Sequence, residues 1–137
     1  MTSLEGGCFC GAVRYRITAE PLGVRACYCR KCQYAGPGGP NYVVMAPKTG
    51  FEVTRGEPTR YSSPADSGND VARLFCGVCG TLLYSDSPAY QAYAVRVGSL
   101  DDPGPMKPQA SVWTEAAQPW HCVDADIPAF AKGAAPR

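Results

Sequence analysis

The stretch "VARLFCGVCGTLLYS", Val71 to Ser85, decides the fold. Two short runs, Val71–Cys76 and Thr81–Ser85, flank a Cys-Gly-Val-Cys turn and read as the two arms of a β-hairpin. Thiols two residues apart in such a turn can point at one metal ion. The following glycine, Gly80, can take the positive φ that residues with a Cβ resist. Cys76 and Cys79 supply only half of a tetrahedral site, so the other half must come from elsewhere in the chain.

Working outward, the same texture of short strands and turns continues. Ala12–Thr18 alternates apolar and basic residues, as a half-buried strand should. "NYVVMAP", "FEVTRGE" and "TRYSS" give three more strands between Asn41 and Ser63, and Ala92–Leu100 gives another. Ser63–Asp70 and Leu100–Pro108 are loops by composition. Helical periodicity is confined to about two turns at "CRKCQYA", and thirteen prolines oppose long helices elsewhere. The expectation is a mainly-β single domain of short strands and hairpins around metal knuckles, with very little helix, over residues 1–137. Its core spans about 6–130, and 131–137 reads as a frayed tail.

Thirteen Lys and Arg stand against twelve Asp and Glu. That balance gives no electrostatic reason to expect nucleic acid as a partner. No apolar run approaches the ~18 residues of a membrane span, and "MTSLEGG" has neither the basic nor the apolar region of a secretory signal. The expected location is the cytoplasm, where a reducing environment turns eight cysteines toward metal binding or catalysis rather than disulfides. A secreted disulfide framework is the alternative. The CxC and CxxC pairing argues against it.

The other cysteines are Cys8 and Cys10 in "GGCFCG", Cys27, Cys29 and Cys32 in "CYCRKC", and Cys122. The partners of Cys76 and Cys79 are either the CxC pair or two of the three clustered thiols. Counting ligands favours the CxC pair, giving Cys8, Cys10, Cys76 and Cys79 as a complete four-thiolate structural site. Cys27, Cys29 and Cys32 then form a three-ligand set with a fourth position open, the pattern of a catalytic zinc. The alternatives are a second structural site completed by His121 or Cys122, and a redox pair Cys29–Cys32. His121, the single histidine, stands beside Trp120 and reads as a packing residue. Three thiolates around Zn²⁺ leave a local charge of −1, which Arg25, Arg30 and Lys31 could moderate.

The order "GGCFCGAVRY", "CYCRKCQYAGPG", "RLFCGVCGTLLYS", "VRVGSLDDP" and "QPWHCVDADIPAF" resembles the glutathione-dependent formaldehyde-activating enzymes, a family that also includes centromere protein V. The resemblance implies a tent-like mainly-β fold with two zincs per chain. The structural zinc falls on Cys8, Cys10, Cys76 and Cys79, and the substrate-facing zinc on Cys27, Cys29 and Cys32. It implies a carbon–sulfur lyase-like activity joining glutathione, as co-substrate, to formaldehyde to give S-hydroxymethylglutathione. The partners are then a small-molecule thiol and an aldehyde. The alternative is a noncatalytic zinc module for protein interaction, although the chain carries neither a basic tail nor an exposed apolar extension. Where the family often has histidine between the first two clustered cysteines, this chain has Tyr28.

Tyr28 could give a phenolic proton to the product alkoxide, with Tyr34 a second candidate. In "YAGPGGPN" the N–H groups of Gly36, Gly38 and Gly39 could bind a substrate carboxylate. Asp101 and Asp102 in "GSLDDP" are turn residues first. Trp113 and Trp120 read as covers of the core, and Cys122 as a small buried residue.

Overall fold

The computed structural model describes residues 3–65 and 67–133. Ten strands follow in order: β1 (Leu4–Gly7), β2 (Arg14–Ile17), β3 (Val24–Cys27), β4 (Asn41–Pro47), β5 (Phe51–Arg55), β6 (Thr59–Pro64), β7 (Asp70–Phe75), β8 (Leu82–Asp86), β9 (Ala92–Arg96) and β10 (Ala110–Val112). One α-helix, α1 (Arg30–Ala35), interrupts them between β3 and β4. The chain is mainly β, as its strand patterning predicts. Among the described residues no helix is long and apolar enough to cross a membrane.

The strands form two sheets. The smaller has the order β1-β2-β5, and the larger β10-β3-β4-β9-β8-β7-β6. All strand pairs are antiparallel except β10 with β3. The 2.0-residue period of a strand sorts side chains to two faces, and each sheet uses it. In β2, Tyr15 and Ile17 are buried, while Arg16 points out to Glu5 and Glu52 on the neighbouring strands at 3.3 and 3.1 Å. In the larger sheet Val44, Ala46 and Val95 face the smaller sheet and pack with Tyr15, Ile17, Phe51 and Val53. Phe51 lies at the centre, with ring centroids 5.3 Å from Tyr15, 4.7 Å from Tyr84 and 5.0 Å from Tyr93. The Tyr15 hydroxyl reaches Ser99 Oγ at 2.6 Å, and Ser99 in turn donates to the Arg96 carbonyl, so the buried phenol is satisfied.

The other face of the larger sheet carries Val43 and Met45 of β4 with Ala92 and Ala94 of β9, a second and smaller apolar cluster. The register extends this face sideways. Cys27 pairs with Asn41, Arg25 with Val43, Val43 with Arg96, Met45 with Ala94, Ala94 with Ser85, and Ser85 with Arg73. Among the described residues no second sheet packs here, and the face forms the floor of a cleft.

Three strands lie outside the sequence reading. β1 is half glycine, and a Cβ at Gly6 would stand 2.4 Å from the Tyr15 hydroxyl. β3 and β10 have four and three residues, too few to show a period, and are held by pairing with distant strands. The expected tail also differs at its start. Trp113 and Glu115 N–H donate to the carbonyls of Lys132 and Ala131 at 3.0 and 3.2 Å, fixing that segment beside residues 111–115. Residues 134–137 lie outside the described residues.

Candidate metal centres

The four-thiol set comes together as ligand counting anticipates. Cys8 and Cys10 sit in the turn after β1, and Cys76 and Cys79 in the turn between β7 and β8. All four sulfurs lie within 4.8 Å of one another. Cys10 Sγ is 3.6 Å from Cys8 Sγ and 3.7 Å from Cys76 Sγ. A tetrahedron with zinc–sulfur bonds of about 2.3 Å has sulfur–sulfur edges of about 3.8 Å, so this donor set fits zinc. Both turns end in a glycine with positive φ, Gly11 at 81° and Gly80 at 80°, which folds each thiol pair toward a common point. Backbone N–H groups aim at the buried sulfurs: Val13 N–H at Cys8 Sγ (3.2 Å), and Val78 and Cys79 N–H at Cys76 Sγ (both 3.4 Å). Such N–H···S contacts favour thiolate, the state a metal ligand needs.

The second cluster is Cys27, Cys29 and Cys32, with all three sulfurs again within 4.8 Å. Cys27 ends β3. Cys29 is the N-cap of α1, its Sγ accepting the Cys32 N–H at 3.3 Å, and Cys32 lies in the first turn of that helix. The short helix thus exists to bend the CxCxxC segment around one point. The Cys27 and Cys32 thiols hydrogen-bond Cys29 and hold it well below the ordinary thiol range, while the same sharing pushes Cys27 up.

Among the described residues the two groups of three or more candidate metal-ligating side chains are these two, and neither includes His121 or Cys122. His121 is committed elsewhere. Its Nδ1 accepts the Gln118 N–H at 2.9 Å, which leaves Nε2 as the donor to the Gly38 carbonyl at 2.8 Å. Its ring also packs on Trp120 and Tyr28. Cys122 is exposed rather than buried, and Trp120 is 69% exposed, covering His121 instead of the core.

The Tyr28 side chain is buried, and its hydroxyl donates to the Cys122 carbonyl at 3.3 Å, so its proton already has an acceptor. Tyr34 is 80% exposed. In the glycine loop, Gly36 N–H closes onto Cys32 and Gly38 N–H onto Gln33. Those two donors finish the helix, and none of Gly36, Gly38 and Gly39 lines the cleft. Asp101 pairs with Arg14 at 2.9 Å, which lowers its pKa, and Asp102 accepts the Gly104 N–H within its own turn.

The cationic surroundings of the cluster differ from the expected set. Arg30 lies over the Tyr34 ring at 4.8 Å and donates to Gln33. Arg25 does line the cleft and is joined by Arg73, while Arg96 and Arg73 share a smaller recess of about 40 Å³ with Cys32 and Asn41. Arg96 is half-buried, and burial lowers its pKa while Cys32 opposes that shift. Asn41 Oδ1 is buried with no hydrogen-bond partner among the described residues. Alternation within β7 and β9 could have shown that Arg73 and Arg96 turn away from the core. Only the register shows that they turn toward Cys32.

Gln33 is a further residue that motif reading passes over. It is 3% exposed, and its amide donates to the carbonyls of Tyr28 (2.8 Å) and Ala116 (2.9 Å). Tyr28 N–H donates to Val112. These bonds pin the cluster between β10 and the short 3₁₀ turn Thr114–Ala116.

Comparison with known proteins now decides the family. The profile of the family described as "Glutathione-dependent formaldehyde-activating enzyme" matches residues 3–116. The chain belongs to this family. A Halomonas elongata protein named "Putative glutathione-dependent formaldehyde-activating enzyme" is 30% identical over 91 residues. That match takes in 64% of this chain and 58% of the relative, so the chain spans somewhat over half of the relative's length. A crystal structure of a Rhodobacter sphaeroides protein, solved as a structural genomics target, superposes with a TM-score of 0.57 at 26% identity. It covers 71% of this chain and 87% of that one. Both cysteine clusters of this chain lie inside the segment the family profile matches.

Proposed function

We propose that this chain is a zinc-dependent enzyme that forms and breaks the carbon–sulfur bond between a small-molecule thiol and an aldehyde, with formaldehyde and glutathione as the pair the family's name suggests. The observation that carries this reading is the contrast between the two clusters. Four thiols complete one site away from the cleft, whereas Cys27, Cys29 and Cys32 stop at three and line a cleft of about 300 Å³.

Cys27, Cys29 and Cys32 would hold the zinc, which would supply a Lewis acid able to lower the pKa of a substrate thiol. The chain's own residues do the rest. The three thiolates and a thiolate substrate together carry more negative charge than one divalent ion cancels, and Arg73 and Arg96 stand beside Cys32 to offset it. Asn41 presents its bare Oδ1 in the same recess, where a hydroxyl of the adduct would find an acceptor. The reaction balances without an oxidant: sulfur bonds to the carbonyl carbon, and the thiol proton ends on the carbonyl oxygen.

The test follows formaldehyde loss by the zinc-loaded protein with glutathione, with other thiols and with none. The expected result is a thiol-dependent rate above the spontaneous one that disappears in Cys29→Ser. A rate no greater than the spontaneous reaction with every thiol would sink the proposal.

A further inference from the structure

The cleft beside Cys27, Cys29 and Cys32 is built for more than sulfur and a one-carbon aldehyde. Its floor is the second apolar cluster, where Val43, Met45 and Ala92 are 5, 9 and 6% exposed and Ala94 packs against them. All four lie on the two central strands β4 and β9, so the floor is fixed by ladder hydrogen bonds rather than by a loop. The volume, about 300 Å³, is at the lower end of small-molecule sites. The charged groups nearest the cysteines are Arg25 and Arg73, with Asn41 paired to Cys27, while Ser67, Ser85, Ser87, Tyr90 and Gln91 line the walls elsewhere. Asp86, further along the wall, is neutralised by Lys48 at 2.8 Å and Arg60 at 3.7 Å.

The side chains of Val43, Met45, Ala92 and Ala94 offer no hydrogen-bond partner, so an amide resting on the floor itself and out of reach of the walls would lose water at a cost of about 1–3 kcal/mol. A hydrocarbon meets the opposite balance, because its own hydration is relieved against a floor that holds little water of its own. We infer that the adduct handled at this site carries a hydrocarbon arm, aliphatic or aromatic and about six carbons long, which lies on Val43, Met45, Ala92 and Ala94 while its sulfur sits at Cys27, Cys29 and Cys32. The inference rests on the function proposed above and names the class of substrate within it. The arm belongs either to the thiol, R–SH, or to the aldehyde, R′–CHO; both give R–S–CH(OH)–R′ with the thiol proton on the new hydroxyl.

The experiment compares ethanethiol with 1-hexanethiol on the full chain. Cobalt loaded in place of zinc reports sulfur binding through its visible spectrum, and NMR on methyl-labelled methionine reports contacts of the hexyl chain with Met45. Each fully buried methylene strengthens binding roughly fourfold, so four half-buried ones still give at least about tenfold for the longer thiol. The expected results are that ratio, a nuclear Overhauser contact between the hexyl chain and the Met45 methyl, and a ratio below about threefold in Val43→Thr, which keeps shape and adds a hydroxyl. Absence of the Met45 contact, or an unchanged ratio in a folded Val43→Thr, overturns the inference. A cobalt spectrum that ignores both thiols counts against the proposed function, and the Met45 contact still decides the arm. Turnover with 1-hexanethiol plus formaldehyde, set against ethanethiol plus hexanal, assigns the arm to one half. Neither pair exceeding ethanethiol plus formaldehyde by about tenfold in kcat/KM overturns it as well.

Discussion

Replacing Cys76 with serine tests the four-thiol centre most severely. Cys76 is 1% exposed and lies 3.7 Å from Cys10, a residue 66 positions earlier in the chain. Serine keeps an acceptor for the Val78 and Cys79 N–H groups but removes a soft ligand. Metal binding in small zinc modules supplies on the order of 10 kcal/mol of folding free energy. A domain of 137 residues has a total stability of about 7–20 kcal/mol, so a metal held by these four thiols would be a large share of it. Losing one ligand of four should remove about 5 kcal/mol or more. At about 2–4 °C per kcal/mol, thermal unfolding followed by circular dichroism should fall by at least about 10 °C. The zinc content after dialysis should also fall by about one per chain. A Cys76→Ser protein that melts within about 3 °C of wild type would refute the reasoning, because the hairpin would then be held by packing alone.

Two further outcomes follow from the same structure. Burial raises the Tyr15 pKa to about 12 against 10 for an ordinary phenol, so its folded-state pKa lies above the unfolded one. The stability this confers is complete below pH 10 and is lost as pH rises toward 12, up to about 3 kcal/mol. Urea unfolding at a series of alkaline pH values should show that decline, and Tyr15→Phe should flatten it. An equal slope in both proteins would contradict the assignment. Gln33→Leu leaves the buried carbonyls of Tyr28 and Ala116 without their donor. It should cost about 2–4 kcal/mol in urea unfolding and speed the release of metal from Cys27, Cys29 and Cys32 to a chelator. Unchanged release would show that Gln33 does not hold the cluster in place.

The sequence made some of this legible and hid the rest for physical reasons. Thiols are counted easily, and CxC, CxCxxC and CxxC have only a few ways to fill tetrahedral sites. The strands with longer β-rich or alternating runs, such as those around Val44 and Tyr15, are readable too. The short strands Val24–Cys27 and Ala110–Val112 were not, because their pairing joins residues some 85 positions apart. The cleft was invisible for a related reason. Val43, Ala94, Ser85 and Arg73 share a floor only through the registers of four strands, and no local pattern encodes a register across strands. Tyr28 and His121 stand next to cysteines, which makes them candidates in the sequence. The fold instead uses the Tyr28 hydroxyl and both His121 nitrogens to tie Cys122, Gln118 and Gly38 together.

In the proposed function Cys27, Cys29 and Cys32 hold a metal that the fold can do without. The direct measurement is zinc per chain, with circular dichroism alongside, for the wild-type protein and for Cys29→Ser. The prediction is two zinc ions per wild-type chain and about one in Cys29→Ser, with the β-sheet spectrum and cooperative melting retained. One zinc in the wild-type protein, or an unfolded Cys29→Ser, would contradict it.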